Sequence, residues 1–208
     1  MREKLQLYLV TEESVPLDKL LYIVEEGIKG GVTAVQLREK STEGKVFFEK
    51  AVKLKELTQR YKVPLFINDR VDIALAVNAD GVHVGQDDLP LEQVRKIVPP
   101  SMLVGISART IEEAIAAEKG GANYIGVGSV FPTSTKDDAK VLPPGGLEKI
   151  IQSVSIPVVA IGGIKLDNVT AIRDLDIAGV AIVSEIMKAK SPLDAASTLR
   201  KVLRGEKS

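Results

Sequence analysis

The chain has 208 residues, a length that fits one large α/β domain or two small ones and that can bury a substantial core. Its 28 basic and 28 acidic residues cancel to a formal net charge of zero, which argues against a general nucleic-acid-binding or membrane-surface protein. Cysteine is absent, which excludes disulfides and thiolate chemistry, and no apolar run approaches a signal-peptide core or a membrane span, so a cytoplasmic location is expected.

One supersecondary unit repeats along the chain, a short β-rich apolar run followed by a polar or glycine stop and then a helical pattern. The apolar runs are 5–10, 34–38, 64–68, 81–85, 103–107, 124–128, 157–161 and 179–183. The helical patterns that follow them are 17–29, 43–61, 70–77, 90–97, 110–119, 146–153, 166–174 and 192–203. Eight such units, with no linker between them, predict a single (β/α)8 TIM barrel over residues 1–208 that forms one catalytic domain. The rival fold is a doubly wound open sheet, which normally has fewer strands.

In a barrel of this kind the active site lies at the carboxyl ends of the strands, so polar residues at those ends are the candidates for chemistry. Gln36 and Arg38 alternate at the end of the second strand and are expected to point inward, with Lys40 following them. A buried arginine needs an anionic partner. Either a phosphate of a ligand or an internal salt bridge to a barrel carboxylate such as Asp69 would satisfy Arg38.

Carboxylates follow the third and fourth strands, where Asn68 precedes Asp69 and the next loop holds Asp87 and Asp88. The structural interpretation is that these aspartates cap the following helices, and Pro90 close behind Asp88 fits that role. The functional interpretation is a pair of hard oxygen ligands on adjacent strands, suited to Mg²⁺ that is shared with substrate phosphates.

Two further polar residues lie on the inner faces of the fourth and fifth strands. His83 is the only histidine and is expected to face inward, where a packed and hydrogen-bonded role is favoured over a catalytic base. Ser107 ends the fifth strand and is either a rim residue of the site or the N-cap of the next helix, a position for which Thr110 competes.

The last three strand ends combine a long loop with glycines. The loop at 131–146 follows the sixth strand, and its stretch 133–136 offers three hydroxyls and an ammonium, so it is either an anion-binding lid or a flexible polar loop. Gly162 and Gly163 follow the seventh strand, where barrels often bind phosphate through backbone amides. Together the strand ends predict two phosphorylated ligands, one beside strands two to six and one beside strands seven and eight.

Seven motifs of the chain, in order, resemble those of the thiamine-phosphate synthase family, also called thiamine-phosphate pyrophosphorylase. They are QLREK (36–40), NDR (68–70), DGVHVGQDD (80–88), GIS (105–107), FPTSTK (131–136), IGGI (161–164) and VSEI (183–186). The resemblance implies an enzyme that joins hydroxymethylpyrimidine diphosphate to thiazole phosphate, releasing pyrophosphate and using Mg²⁺.

The resemblance also assigns roles to individual residues. It implies that Asp69 and Asp88 bind Mg²⁺ and that Arg38, Lys40 and Lys136 stabilise the departing diphosphate. The remaining substrate contacts that it implies are Gln36, Asn68, Ser107, Thr133, Ser134, Thr135, Gly163, Val183 and Ser184.

Two alternatives stand beside the synthase. A thiazole tautomerase of the same superfamily would need a side-chain acid or base near the 131–146 loop and no diphosphate site, whereas this chain has Phe-Pro-Thr-Ser there and keeps the Arg/Lys/Asp set. A non-catalytic phosphate-binding barrel would bind ligands without turnover. The expected partners are small-molecule substrates, with neither nucleic acid nor membrane, and a homodimer stays open as the assembly.

Overall fold

Eight parallel strands form the centre of the molecule in a computed structural model that describes residues 1–13, 15–133 and 140–206. The strands are β1 (Leu7–Val10), β2 (Ala34–Leu37), β3 (Leu65–Asn68), β4 (Gly81–Val84), β5 (Leu103–Ala108), β6 (Tyr124–Val127), β7 (Val158–Ile161) and β8 (Gly179–Ile182). Each strand pairs with the next along the chain, and β8 pairs with β1 to close the barrel. The prediction of a (β/α)8 barrel is therefore confirmed, and the open-sheet alternative is wrong.

Helices surround the barrel, and most of them match the helical patterns of the sequence to within a residue at each end. They are α1 (Leu17–Lys29), α2 (Gly44–Arg60), α3 (Val71–Ala76), α4 (Leu91–Ile97), α5 (Ile111–Lys119), α6 (Gly146–Ser153), α7 (Ser184–Met187) and α8 (Pro192–Leu203). A short 3₁₀ helix, Arg2–Leu5, precedes β1 and takes up the start of the run predicted as strand 5–10.

The helix predicted at 166–174 is wrong, because only a 3₁₀ turn, Val169–Ala171, forms there. The Asn168 side chain accepts a hydrogen bond from the Lys165 amide (2.8 Å) and donates one to the Gly163 carbonyl (2.9 Å). Such local side-chain bonds hold the backbone in a turn and compete with helix formation. The one-turn helix α7 directly after β8 was not predicted.

The period-2 alternation of the strands divides the core into two shells. Outward residues such as Val35, Leu37, Val82 and Val84 pack in one large cluster between the strands and the helices. Inward residues form a smaller cluster within the barrel, which includes Tyr8, Phe66 and Tyr124. The inner shell fills the lower part of the barrel and leaves the carboxyl-terminal mouth open for a site.

Glycine on two strands makes room for the aromatic rings of the inner shell. A Cβ at Gly81 would overlap the Phe66 ring, and a Cβ at Gly105 would overlap the Tyr124 ring. The rings of Tyr8, Phe66 and Tyr124 contact one another with centroids 5.3 to 6.0 Å apart. These three rings form a rigid floor below the mouth of the barrel.

The described helices give no candidate for a membrane span, since none of them is both long enough and apolar enough to cross a bilayer.

Candidate active site

A cavity of about 520 Å³ opens at the carboxyl-terminal mouth of the barrel. Residues from the ends of all eight strands or from the loops after them line it, and its floor includes Tyr8, His83 and Tyr124. This is the face at which (β/α)8 enzymes carry their active sites.

Every described residue that the sequence singled out for metal or substrate lies on the wall of this one cavity. These residues are Gln36, Arg38, Lys40, Asn68, Asp69, Asp88, Ser107, Thr133, Gly163, Val183 and Ser184. Ser134, Thr135 and Lys136 lie outside the described residues.

Lys40, rather than Arg38, pairs with the carboxylate that ends β3. The Lys40 ammonium forms a salt bridge with Asp69, so the internal salt bridge considered for Arg38 does not form. Within the described ranges Arg38 makes no salt bridge, although its charge contributes to the lowered pKa of Glu13, whose main cause is a hydrogen bond from the Ser41 amide. The Arg38 guanidinium is therefore available to an anionic ligand in the cavity.

Neither Asp69 nor Asp88 caps a helix, so that structural interpretation is wrong. The N-caps of α3 and α4 are Arg70 and Pro90, without a side-chain capping bond. Asp88 instead accepts a hydrogen bond from the Gly85 amide (2.8 Å) in its own loop. Asp69 adopts a left-handed backbone (φ 61°), which turns the chain sharply at the end of β3 and which Asp tolerates better than most residues.

The two carboxylates interact with each other. Burial raises the pKa of Asp69, and the neighbouring Asp88 adds to that increase while Lys40 opposes it. Two carboxylates in this position concentrate negative charge that a cation would neutralise. In the part of the chain that the structure describes, no third His, Cys, Asp or Glu completes a metal-binding group with them. Such a pair fits Mg²⁺, which takes few protein ligands and fills its shell with water and phosphate oxygens.

His83 and Ser107 hydrogen-bond to each other at the edge of the floor. His83 Nε2 lies 3.1 Å from Ser107 Oγ, and His83 Nδ1 lies 2.9 Å from the Tyr124 hydroxyl. Burial lowers the pKa of His83 to about 4, so the ring is neutral at pH 7. This agrees with the packed role expected for His83. Ser107 is not an N-cap, since Thr110 caps α5 by accepting from the Glu113 amide (3.2 Å).

Asn68 brings a buried donor into the cavity. Its side chain lies at the end of β3, and its Nδ2 is buried without a hydrogen-bond partner among the described residues. A buried amide without a partner costs free energy unless a ligand supplies an acceptor. Asn68 is therefore suited to bind a substrate oxygen or ring nitrogen.

The glycines after β7 serve the fold in a way that the sequence did not indicate. Gly162 (φ 98°) and Gly163 (φ 64°) both have left-handed backbones. A Cβ at Gly163 would overlap the carbonyl oxygens of Phe131 and Pro132. The space beside Gly163 is thus filled by the start of the β6–α6 loop, and glycine is needed there for close backbone packing as well as for any phosphate.

Three residues that the sequence analysis did not single out also contribute to the cavity. Tyr8 and Tyr124 form its floor, and Arg109 adds a cation at the rim beyond β5. The alternation of side chains along a strand, which predicted that Gln36 faces inward, could also have identified the tyrosines, because Tyr8 and Tyr124 occupy inward positions of β1 and β6.

The loop that carries Arg38 and Lys40 is held from outside the cavity. Glu39 points away from the cavity and forms a buried salt bridge with Lys50 of α2 (2.7 Å), and it also accepts a hydrogen bond from Thr42. From the other side, the Thr11 hydroxyl accepts a hydrogen bond from the Arg38 amide (3.0 Å). The QLREK stretch thus alternates between cavity residues and residues that fix the loop.

Comparison with known proteins agrees with this arrangement of residues. The profile of the family described as thiamine monophosphate synthase matches residues 7–186. A thiamine-phosphate synthase of Methanobrevibacter smithii is 51% identical over 204 residues, covering 98% of each chain. One of Clostridium acetobutylicum is 47% identical over 200 residues, covering 96% of this chain and 95% of the relative.

A solved structure supports the same relationship. The thiamine phosphate pyrophosphorylase of Pyrococcus furiosus superposes with a TM-score of 0.89 at 42% identity, covering 98% of each chain. With the family profile spanning β1 to α7 and close relatives covering nearly the whole length, the chain belongs to the thiamine monophosphate synthase family, a family of transferases.

Proposed function

We propose that this chain catalyses the thiamine-phosphate synthase reaction, joining 4-amino-2-methyl-5-(diphosphooxymethyl)pyrimidine to 4-methyl-5-(2-phosphooxyethyl)thiazole. The products are thiamine phosphate and pyrophosphate. The observation that carries the proposal is that all described residues that the family resemblance assigns to metal or substrate lie on the wall of one cavity of about 520 Å³. Cationic side chains lie on the β2 side of that cavity and glycine-rich backbone lies on the β7–β8 side.

The β2 to β5 side is proposed to bind the pyrimidine and its diphosphate. Arg38 and Lys40 supply positive charge for the diphosphate, and among the described residues Lys40, not Arg38, forms the salt bridge to Asp69. The Nδ2 of Asn68, which has no hydrogen-bond partner in the part of the chain that the structure describes, supplies a donor, and Ser107 supplies a hydroxyl. Gln36 lies lower in the barrel and is suited to contact the pyrimidine ring.

Asp69 and Asp88 would hold Mg²⁺ at the rim of the same side. When bound, the ion would supply charge neutralisation for the diphosphate. The Lys40–Asp69 salt bridge joins the proposed metal ligands to the proposed diphosphate contacts. A substitution in one set is therefore expected to alter binding at the other.

The reaction requires no side-chain base. The bond between the pyrimidine methylene carbon and the diphosphate oxygen breaks with its electron pair on oxygen, and the cationic methylene is supported by the ring's amino group. The thiazole nitrogen then attacks with its own lone pair, so no proton needs to be removed. Charge stabilisation by Arg38 and Lys40 and the orientation of two substrates would supply most of the rate. The neutral and buried His83 is consistent with such chemistry.

The β6 to β8 side is proposed to bind the thiazole phosphate. Gly163, Val183 and Ser184 border the cavity there, and Thr133 lies at the start of the loop after β6. Because α7 spans a single turn and only a 3₁₀ turn follows β7, the phosphate would be bound by local backbone amides and hydroxyls with little help from a helix dipole. Ser134 and Thr135 are proposed as further contacts to the thiazole.

The assay for this proposal uses the purified chain with both substrates and Mg²⁺. Formation of thiamine phosphate, followed by chromatography, together with an equal amount of pyrophosphate is expected. Binding of both substrates without product would instead indicate the non-catalytic barrel. The same reaction started from the carboxylated thiazole phosphate tests which thiazole is used.

A cytoplasmic location and a homodimeric assembly are proposed alongside the activity. The absence of cysteine is compatible with a reducing compartment. Light scattering during size-exclusion chromatography measures the molar mass of the assembly. A mass near 22.4 kDa, that of one chain, would contradict the dimer.

A further inference from the structure

A continuous chain of side-chain hydrogen bonds crosses the barrel beneath the cavity. Gln36 Nε2 donates to the Tyr8 hydroxyl (3.0 Å), and the hydroxyls of Tyr8 and Tyr124 are 2.9 Å apart. The Tyr124 hydroxyl also lies 2.9 Å from His83 Nδ1, and His83 Nε2 lies 3.1 Å from Ser107 Oγ. The chain thus begins and ends at residues that line the cavity, and its inner members are buried.

Only two orders of donation use the protons of all three buried members, Tyr8, Tyr124 and His83, within this set of hydrogen bonds, and a buried proton without an acceptor is costly. Each hydroxyl donates one hydrogen bond, and a neutral imidazole donates from one nitrogen and accepts at the other. In the first order every bond is donated from Gln36 toward Ser107, and His83 carries its proton on Nε2. In the second order every bond runs from Ser107 toward Gln36, and His83 carries its proton on Nδ1.

The two orders present opposite groups to a ligand. In the first order the Gln36 amide nitrogen is used by Tyr8, so its carbonyl oxygen is left to accept a bond, and the Ser107 hydroxyl proton is left to donate one. In the second order the Gln36 carbonyl oxygen accepts from Tyr8, so its amide N–H groups are left to donate. The Ser107 hydroxyl proton is then donated to His83 and is no longer available to a ligand. The tautomer of one buried histidine therefore sets the hydrogen-bonding character of two cavity residues.

We propose that the hydrogen bonds of this chain are all donated in the direction from Gln36 to Ser107 and that His83 is the Nε2–H tautomer. Tyr124 and His83 are then positioning residues for the pyrimidine diphosphate. This rests on the proposed function. An aminopyrimidine offers an N–H donor, which the Gln36 carbonyl would accept, and the diphosphate offers oxygen acceptors, to which the Ser107 hydroxyl would donate. The assigned Gln36-to-Tyr8 bond has the same direction.

Burial keeps all three inner members neutral, as either order requires. It raises the pKa of Tyr8 and of Tyr124 above the ordinary value for tyrosine and lowers that of His83. The hydroxyls of Tyr8 and Tyr124 have no role in the reaction proposed above, which needs no base. Their presence in the aromatic floor is explained if they carry the hydrogen bonds that join Gln36 to His83.

Because His83 is the only histidine, the tautomer is directly measurable. Protein labelled with ¹⁵N in the imidazole gives a two-bond ¹H–¹⁵N correlation pattern that differs between the tautomers. We expect the Nε2–H pattern in the wild-type protein without substrates. An Nδ1–H pattern overturns the proposal, whatever the activity. A protein with the Nε2–H pattern that makes no thiamine phosphate would instead refute the proposed function and leave the order of the chain intact.

Two matched variants separate positioning from packing, since each removes one hydroxyl from the same aromatic floor. Tyr124→Phe removes the donor to His83 Nδ1, so we expect the single tautomer to be lost and kcat/KM for the pyrimidine diphosphate to fall about tenfold, the worth of one hydrogen bond. Tyr8→Phe leaves the bond from Tyr124 to His83 in place, and the Nδ1–H tautomer would then leave the buried Tyr124 proton without its Tyr8 acceptor, so the Nε2–H tautomer should be kept. Retention of one tautomer in both variants, or its loss in both, contradicts the proposal.

Discussion

Replacing Asp69 is expected to affect turnover and stability differently. Its carboxylate borders the cavity, and burial raises its pKa, so the ionised group adds little to the free energy of unfolding. Asp69→Asn should therefore lower Mg²⁺-dependent turnover on the order of 100-fold, the scale of losing one key electrostatic group, while the melting temperature stays the same or rises. Steady-state kinetics and thermal unfolding measure the two effects.

Asp80 provides the matched control, since it pairs with Lys55 (2.7 Å) and accepts from the Leu65 amide (2.9 Å) at the opposite end of the barrel. Asp80→Asn should cost about 1 kcal/mol of stability and leave turnover unchanged. If Asp69→Asn kept full activity and only melted earlier, Asp69 would be a structural residue.

His83 predicts a pH dependence of stability. Its pKa in the folded protein is about 4, below the ordinary value of 6.5, so the unfolded chain binds a proton first as the pH falls. The neutral ring therefore contributes about 3 kcal/mol to the free energy of unfolding above pH 6.5. This contribution is lost as the pH drops from 6.5 to 4. His83→Gln removes this dependence, and the comparison of unfolding free energies for the two proteins at pH 7 and pH 4 isolates it from the titrating carboxylates. An equal difference at both pH values would contradict the prediction.

Alternation along the strands was enough to predict that Gln36, Arg38 and His83 face inward, because side chains on a strand change sides at every residue. It could not predict that Tyr8 and Tyr124 meet, since 116 residues separate them and their contact exists only after the barrel closes. It left open a salt bridge between Arg38 and Asp69 and did not predict that Lys40 forms it, because the path of the chain beyond the end of β2 depends on the bonds made by Thr11 and Glu39.

At the level of the elements, the β2–α2 loop depends on the salt bridge between Glu39 and Lys50. Lys50→Met would leave the fully buried Glu39 carboxylate without its cation, which should cost about 3 kcal/mol of stability and loosen Arg38 and Lys40. The KM for the pyrimidine diphosphate should rise more than the KM for the thiazole phosphate. Kinetics with each substrate varied in turn measure this selectivity.

Lys55→Met is the control on the same helix, because Lys55 pairs with the more exposed Asp80 away from the cavity. It should cost at most about 1 kcal/mol and leave both KM values unchanged. Glu39→Gln combined with Lys50→Met should recover part of the stability, since the unpaired buried charge is removed. An equal rise of both KM values in Lys50→Met would indicate general loosening of the barrel.

The loop after β6 carries Lys136, which lies outside the described residues and is proposed to act on the departing diphosphate. The charge that it would stabilise grows as the bond breaks, so Lys136→Ala should lower kcat more than it raises KM. Lys149, exposed on α6 and away from the cavity lining, gives the comparison variant Lys149→Ala, which should leave kcat and KM unchanged. An effect of Lys136→Ala on KM alone would restrict Lys136 to binding, and protection of 131–146 from protease by substrate would support closure of the loop.

The elements were predictable where hydrophobic periodicity was strong and uninterrupted, as in α1, α2 and α8. The failure at 166–174 has a local cause, because the Asn168 side chain bonds to the backbone of Gly163 and Lys165 before it and holds a turn where periodicity indicated a helix. The failure matters for function, because the 3₁₀ turn after β7 offers no long helix whose dipole could help to bind a phosphate there.

At the scale of the whole molecule, the barrel brings two chemically different surfaces to face each other across one mouth. Arg38 and Lys40 follow β2, whereas Gly163 and Ser184 follow β7 and β8. Eight parallel strands with consecutive neighbours set this arrangement, so the central claim is that one cavity holds two separate anion sites.

Calorimetric titration of two variants with each ligand alone tests that claim most directly. Arg38→Ala removes charge from the β2 side, and Ser184→Glu adds a negative charge on the β8 side. Ser184→Glu is preferable to a larger residue at Gly163, where a Cβ would meet the backbone of Phe131 and Pro132. We predict that Arg38→Ala weakens the pyrimidine diphosphate with Mg²⁺ at least about tenfold and spares the thiazole phosphate, and that Ser184→Glu does the reverse. Equal loss of both ligands in both variants, with the circular dichroism unchanged, would contradict the account and indicate a single merged anion site.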